Sequence, residues 1–140
     1  MNEVLSTLTG VRVDDPRKVI DSGFNPNTQG CTIKAIEVHS LCHGIVIEIG
    51  CDPKMNTWCI TVEVNSQQWV RYCNLASYKV TLNQTVNKSD FLGYAYKGLM
   101  RLEYCTDEVT TYPVRIQMME MYKRDPSPII FAKTSILKEV

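Results

Sequence analysis

Histidine is scarce in this chain: His39 and His43 are the only two. Their i, i+4 spacing would share a helix face, but Glu does not follow His39, so the HExxH pattern of a zinc hydrolase is missing. No CxxC pair occurs among the cysteines, which removes the zinc-knuckle signature. Charge bias is missing too. Lys+Arg and Asp+Glu are both 15, which leaves neither the basic footprint of a nucleic-acid binder nor the acidic run of a disordered arm. No stretch approaches the roughly 18 consecutive apolar residues of a membrane-spanning helix. The first residues, Met1-Asn2-Glu3-Val4-Leu5, lack a basic start followed by an apolar run, so a secretory leader is not expected. No repeat of 20–50 residues and no low-complexity tract is visible.

What is present reads as one domain of 140 residues, long enough to bury a core. A hydrophobic share of 44% and a charged share of 21% are those of a globular domain. Six cysteines, Cys31, Cys42, Cys51, Cys59, Cys73 and Cys105, allow two readings: buried thiols acting as small hydrophobes, or disulfides that form after release from the cell. The periodicity is that of strands. Cys42 to Gly50 sets Ile45, Ile47 and Ile49 on one face and Val46 and Glu48 on the other. Trp58 to Val64 separates Ile60, Val62 and Val64 from Cys59, Thr61 and Glu63. Trp69 to Leu75 follows a polar turn, Asn65 to Gln68, and predicts a hairpin. A register symmetric about that turn pairs Ile60 with Cys73 and Cys59 with Asn74, and puts Tyr72 and Asn74 on the face of Thr61 and Cys59.

Further on, Asn83-Gln84 and Lys88-Ser89-Asp90 are turn clusters between short apolar pieces, and Leu99 to Cys105 is another strand. Pro113 to Gln117 and Met119 to Tyr122 are read as a terminal hairpin, and only Ser135 to Glu139 has helical character. Met118, Met119 and Met121 form either an adaptable contact surface or the buried side of that hairpin. The sum is an all-β fold, a compact antiparallel sandwich or barrel-like sheet with little helix. Residues 1–27 are an extension and entry loop, 28–131 the domain and 132–140 a tail.

The order of motifs resembles the lysostaphin-type (LytM-like) zinc endopeptidases of peptidoglycan, with their duplicated-hybrid-motif β fold. Cys42-His43-Gly44-Ile45-Val46 is similar to that family's DGxV strand start, and Trp58-Cys59-Ile60-Thr61-Val62 to its GNxVxI strand. Tyr72-Cys73-Asn74-Leu75 is similar to YxHL, and Val80 to Gly93 to the VxxGxxVxxGxxIG buckle, with Asn83 and Ser89 in place of two glycines. Leu99-Met100-Arg101-Leu102-Glu103 stands where HxHFE belongs. Pro113 to Ile116 and Tyr122 to Pro128 resemble a variant of this fold found in tailed-phage virions.

Carried over residue by residue, the resemblance implies a frame stripped of its chemistry. The ligands of HxGxD become Thr28 and Thr32 around Gly30, and the third ligand becomes Arg101, a permanent cation that repels a metal. The two further histidines become Asn74 and Leu99. The expectation is a non-enzyme without zinc or any other cofactor, its former groove bordered by Cys59, Thr61, Tyr72 and Glu103. Arg101 and Glu103, two apart on one strand, are expected to pair where the metal would sit. Glu103 with Asp107 could alternatively serve as paired acids, and Cys31, Cys59, Cys73 and a histidine as a rebuilt zinc site. The implied role is a structural component of a phage tail or baseplate, assembled in the host cytoplasm. Its partners would be other virion proteins, with at most weak contact to peptidoglycan or peptide, and no nucleic acid or membrane span. The alternatives are an active or wall-binding endopeptidase and a non-catalytic amidase activator.

Overall fold

The computed structural model describes residues 11–13, 30–106, 114–127 and 129–131. Among these residues, ten strands and one helix run in the order β1 (Val11–Val13), β2 (Gly30–Lys34), β3 (Glu37–His39), β4 (Gly44–Asp52), β5 (Thr57–Asn65), β6 (Gln68–Tyr78), β7 (Thr85–Val86), β8 (Phe91–Ala95), β9 (Leu99–Thr106), α1 (Val114–Arg124) and β10 (Ile129–Phe131). All strand pairings among them are antiparallel. The main sheet has the order β2-β9-β6-β5-β4-β7, with β8 joining β6 to β3, while β1 and β10 make a separate pair. The expected all-β architecture is what forms. Residues 1–27 and 132–140 contribute β1 alone among the described residues, so the helical reading of Ser135 to Glu139 falls outside them.

The longest strand, β6, positions the site. It pairs with β9 from Gln68 to Cys73, then with β8 from Leu75 to Tyr78. Asn74 sits at the change of partner in left-handed backbone, φ 65°. Its Nδ2 donates to the carbonyls of Leu99 (2.8 Å) and Tyr96 (3.4 Å), and its own carbonyl accepts from Tyr96 N–H. Asn74 thereby brackets the turn Tyr96–Leu99, whose two middle residues, Lys97 and Gly98, both have positive φ. Such a turn twists with the strands it joins.

Two expectations need correction. The β5–β6 register is not symmetric about its turn: irregularities between Glu63 and Asn65 and between Trp58 and Ile60 pair Ile60 with Tyr72. Tyr72 therefore points into the core, fully buried, with its phenol oxygen accepting Leu41 N–H at 2.9 Å. On β4 the expected alternation holds at its start, and Ile49 packs against the core further along. Val46 is fully buried while Ile45 and Ile47 are exposed, and the strand slips register between Val46 and Glu48. The predicted hairpin from Pro113 to Tyr122 is instead α1. Gln117, Met118 and Met121 form its buried stripe, at the three- and four-residue spacing of a helix, and it packs on β9. Met118 and Met121 thus close the core with Val70, Leu102 and Tyr104, on the buried side of a helix instead of a hairpin.

Candidate functional site

Strands β2, β5, β6 and β9 and the β4–β5 turn border an open cleft of about 350 Å³, at the small end of the range for ligand pockets. Thr32, Asn74, Leu99 and Arg101 all line it, together with Asp52, Met55, Thr57, Trp58, Cys59 and Cys73. Thr32 stands opposite Arg101 in the β2–β9 register, and Cys73 opposite Arg101 in the β6–β9 register. Four positions scattered over seventy residues of sequence thus meet because β9 lies between β2 and β6. Thr28 lies outside the described residues, as does Asp107.

The polar side chains of the neighbouring sheet face form one chain of charges. Arg101 Nε donates to Glu103 Oε2 at 2.9 Å. The other oxygen, Glu103 Oε1, accepts from Arg71 Nη1 at 3.4 Å. Arg71 Nη2 lies 3.7 Å from Glu48 Oε1, which accepts the Thr61 hydroxyl at 2.8 Å. Glu48, Arg71, Glu103 and Arg101 thus alternate in sign and sum to zero. Gly30 makes this possible: a Cβ there would stand 2.5 Å from Arg101 Nη2 and 2.9 Å from its Cζ. The glycine shared with the HxGxD pattern here gives room to a guanidinium.

Beside that chain, Cys59 on β5 and Cys73 on β6 form a disulfide, their Cα atoms 4.2 Å apart. In the sequence alone both cysteine states stay open and no pairing is specified. The signal was present in the expected hairpin, which already put Cys59 next to Asn74. Of the groove residues expected, Cys59 lines the cleft, Thr61 and Glu103 belong to the adjoining polar face, and Tyr72 is in the core.

The fold has known counterparts. At 17% identity and a TM-score of 0.51, the structure of LytU matches over 60% of this chain and 65% of its own. CbpA from L. salivarius REN matches at 16% identity and a TM-score of 0.59, over 75% of this chain and 83% of its own. A zinc-containing peptidase from Vibrio cholerae matches at 17% identity and a TM-score of 0.51, over 81% of this chain but 36% of its own. The chain has a LytM-like fold. No protein-family model and no curated protein matches it in sequence.

A zinc ion, such as the Vibrio cholerae peptidase contains, does not suit the side chains described here. Thr32 offers a neutral hydroxyl, and Arg101 offers a cation already tied to Glu103. The amide nitrogen of Asn74 is spent on two backbone carbonyls. The sulfurs of Cys59 and Cys73 are bonded to each other. Among the described residues no group of three or more His, Cys, Asp or Glu is gathered for a metal. The histidines lie elsewhere: His39 Nδ1 donates to Ser89 O at 2.8 Å with Nε2 3.1 Å from Glu37, and His43 Nδ1 meets Asn87 Oδ1 at 3.0 Å.

Proposed function

We propose that the protein is a catalytically inactive peptidase-fold module that works by contact, as a structural component of a phage tail or baseplate. The observation that carries the inactive reading is Arg101, which lines the cleft opposite Thr32 and is paired with Glu103. A guanidinium keeps its charge at every pH a cell offers, so it competes with a divalent ion for that ground instead of ligating it. The virion setting is supported by the resemblance of Pro113 to Ile116 and Tyr122 to Pro128 to a phage variant of the fold. Partners would be neighbouring tail proteins, met through the sheet edges and loops, with the cleft retaining at most weak affinity for peptide or glycan.

Mass spectrometry of purified particles, combined with elemental analysis of the isolated protein, tests both halves. The protein is expected in intact particles at a fixed ratio to known tail subunits, and without stoichiometric zinc. Its absence from particles would overturn the virion role. Bound zinc with chelator-sensitive cleavage of cell wall would favour an active endopeptidase. Co-sedimentation with sacculi in place of particle incorporation would favour a wall-binding or amidase-activating role.

A further inference from the structure

We infer that the cleft is a binding site for an apolar carboxylate, with the end-on face of Arg101 as its anchor. The inference rests on the non-catalytic reading above, since it has the cleft hold such a ligand without cleaving it. Arg101 uses only Nε in its bond to Glu103; neither Nη1 nor Nη2 has a protein acceptor among the described residues. The guanidinium is therefore fixed in orientation by one edge while the two terminal nitrogens remain for a second, bidentate carboxylate. Glu103 is no rival for that edge, because its other oxygen is held by Arg71.

The remaining walls choose the rest of the ligand. Met55 and Leu99 are two of the exposed large hydrophobic residues, and both border this concavity, with Trp58 and the Cys59–Cys73 disulfide between strands. Apolar surface exposed inside a concavity marks a contact site more than apolar surface on a convex face does. Among the described residues Asp52 is the one acid lining the cleft, and its Oδ1 accepts the amides of Lys54 (3.0 Å) and Met55 (3.4 Å). A volume of about 350 Å³ suits the last two or three residues of a peptide ending in an aliphatic side chain, or a free acid of similar character.

The test is a titration of isotope-labelled protein followed by nuclear magnetic resonance, using N-acetyl-alanyl-leucine, its C-terminal amide, and 4-methylpentanoate. Saturable shifts of the Trp58 indole and the Met55 and Leu99 methyls are expected with the acid peptide. The amide should bind at least roughly tenfold more weakly, the worth of a charge-assisted pair. Arg101→Gln should reduce the acid to the level of the amide, and Arg101→Lys should fall between, with the same spectra reporting that each variant is folded. If 4-methylpentanoate matches the peptide, the ligand is a small acid; if only the peptide binds, it is a chain terminus; either supports the site. Equal binding of acid and amide, or no saturable shift at millimolar ligand, overturns it. The mass of the recovered peptide reads the other claim separately: a shortened peptide would sink the non-catalytic reading whatever the binding shows.

Discussion

Ser89 carries backbone strain that asparagine elsewhere in the fold carries more cheaply. It has φ 77°, and Asn83, six residues earlier, has φ 69°. These are the two positions where the resembling buckle has glycine, so the turn geometry is kept with residues that bear a Cβ. Asn visits left-handed backbone readily, whereas Ser has no such allowance. Ser89 is nonetheless held there, because its N–H donates to Ser40 O at 2.7 Å and its carbonyl accepts from His39. Ser89→Gly is therefore expected to raise stability by about 1 kcal/mol, read as a higher denaturation midpoint; a lower midpoint would show that the turn is not strained. Gly30→Ala is expected to act in the opposite direction, by forcing Arg101 off its seat. A second residue-scale effect concerns alkali. Burial pushes the Cys42 thiol up to about 11 and the Tyr72 phenol well above its usual range. The folded protein then keeps protons that the unfolded chain gives up, so this contribution is full below about pH 9 and is lost as pH rises towards 11. Denaturation midpoints should fall across that window, and Cys42→Ala should make the fall shallower. A flat profile would contradict the burial of both groups.

At the scale of elements, Lys88 is the fastening between the β7–β8 turn and the end of α1. Its buried ammonium donates to the carbonyls of Asp125 and Ser127 and lies 3.9 Å from Asp125 Oδ2. The Ser127 hydroxyl and amide hold the Asp125 carboxyl below its ordinary range, which keeps it an anion for this contact. Lys88→Met should cost about 2 kcal/mol or more by leaving those carbonyls unpaired, with faster amide exchange confined to the last turn of α1. Unchanged exchange there would show that the helix docks through its methionines alone. The helix was also the least legible element in the sequence. Val114 to Tyr122 alternates apolar and polar residues nearly as well as it repeats at three and four, and only packing on β9 decides between them. The strands β4, β5, β6 and β9 were legible because their alternation runs long enough to average out single errors. The face of β6 was not, because a one-residue slip at a bulge turns the side chains beyond it over. Tyr72 is the residue moved in this way. The Cys59–Cys73 bond ties β5 to β6 across 14 residues. Its reduction should cost about 3 kcal/mol by the loop-entropy account, visible as a lower melting temperature in reductant that Cys59→Ser/Cys73→Ser no longer shows.

For the whole molecule, the arrangement is a sheet whose middle strands, β9 and β6, bring Thr32, Asn74, Leu99 and Arg101 to one cleft. Motif order alone brings these four positions together, because each motif sits at a fixed place on a strand. The work each residue does in its new setting was beyond motif reading. Asn74 brackets a turn, Arg101 closes a charge chain over Gly30, and the two cysteines join. These roles depend on cross-strand neighbours that a linear sequence does not display. The central proposal is that this cleft has exchanged metal chemistry for a charge-balanced polar face. Its most direct test is digestion of purified peptidoglycan by the protein with added zinc, scoring newly released peptide ends by mass spectrometry with and without chelator. The account predicts no release above that of buffer in either case. Release that zinc supports and the chelator abolishes would contradict it.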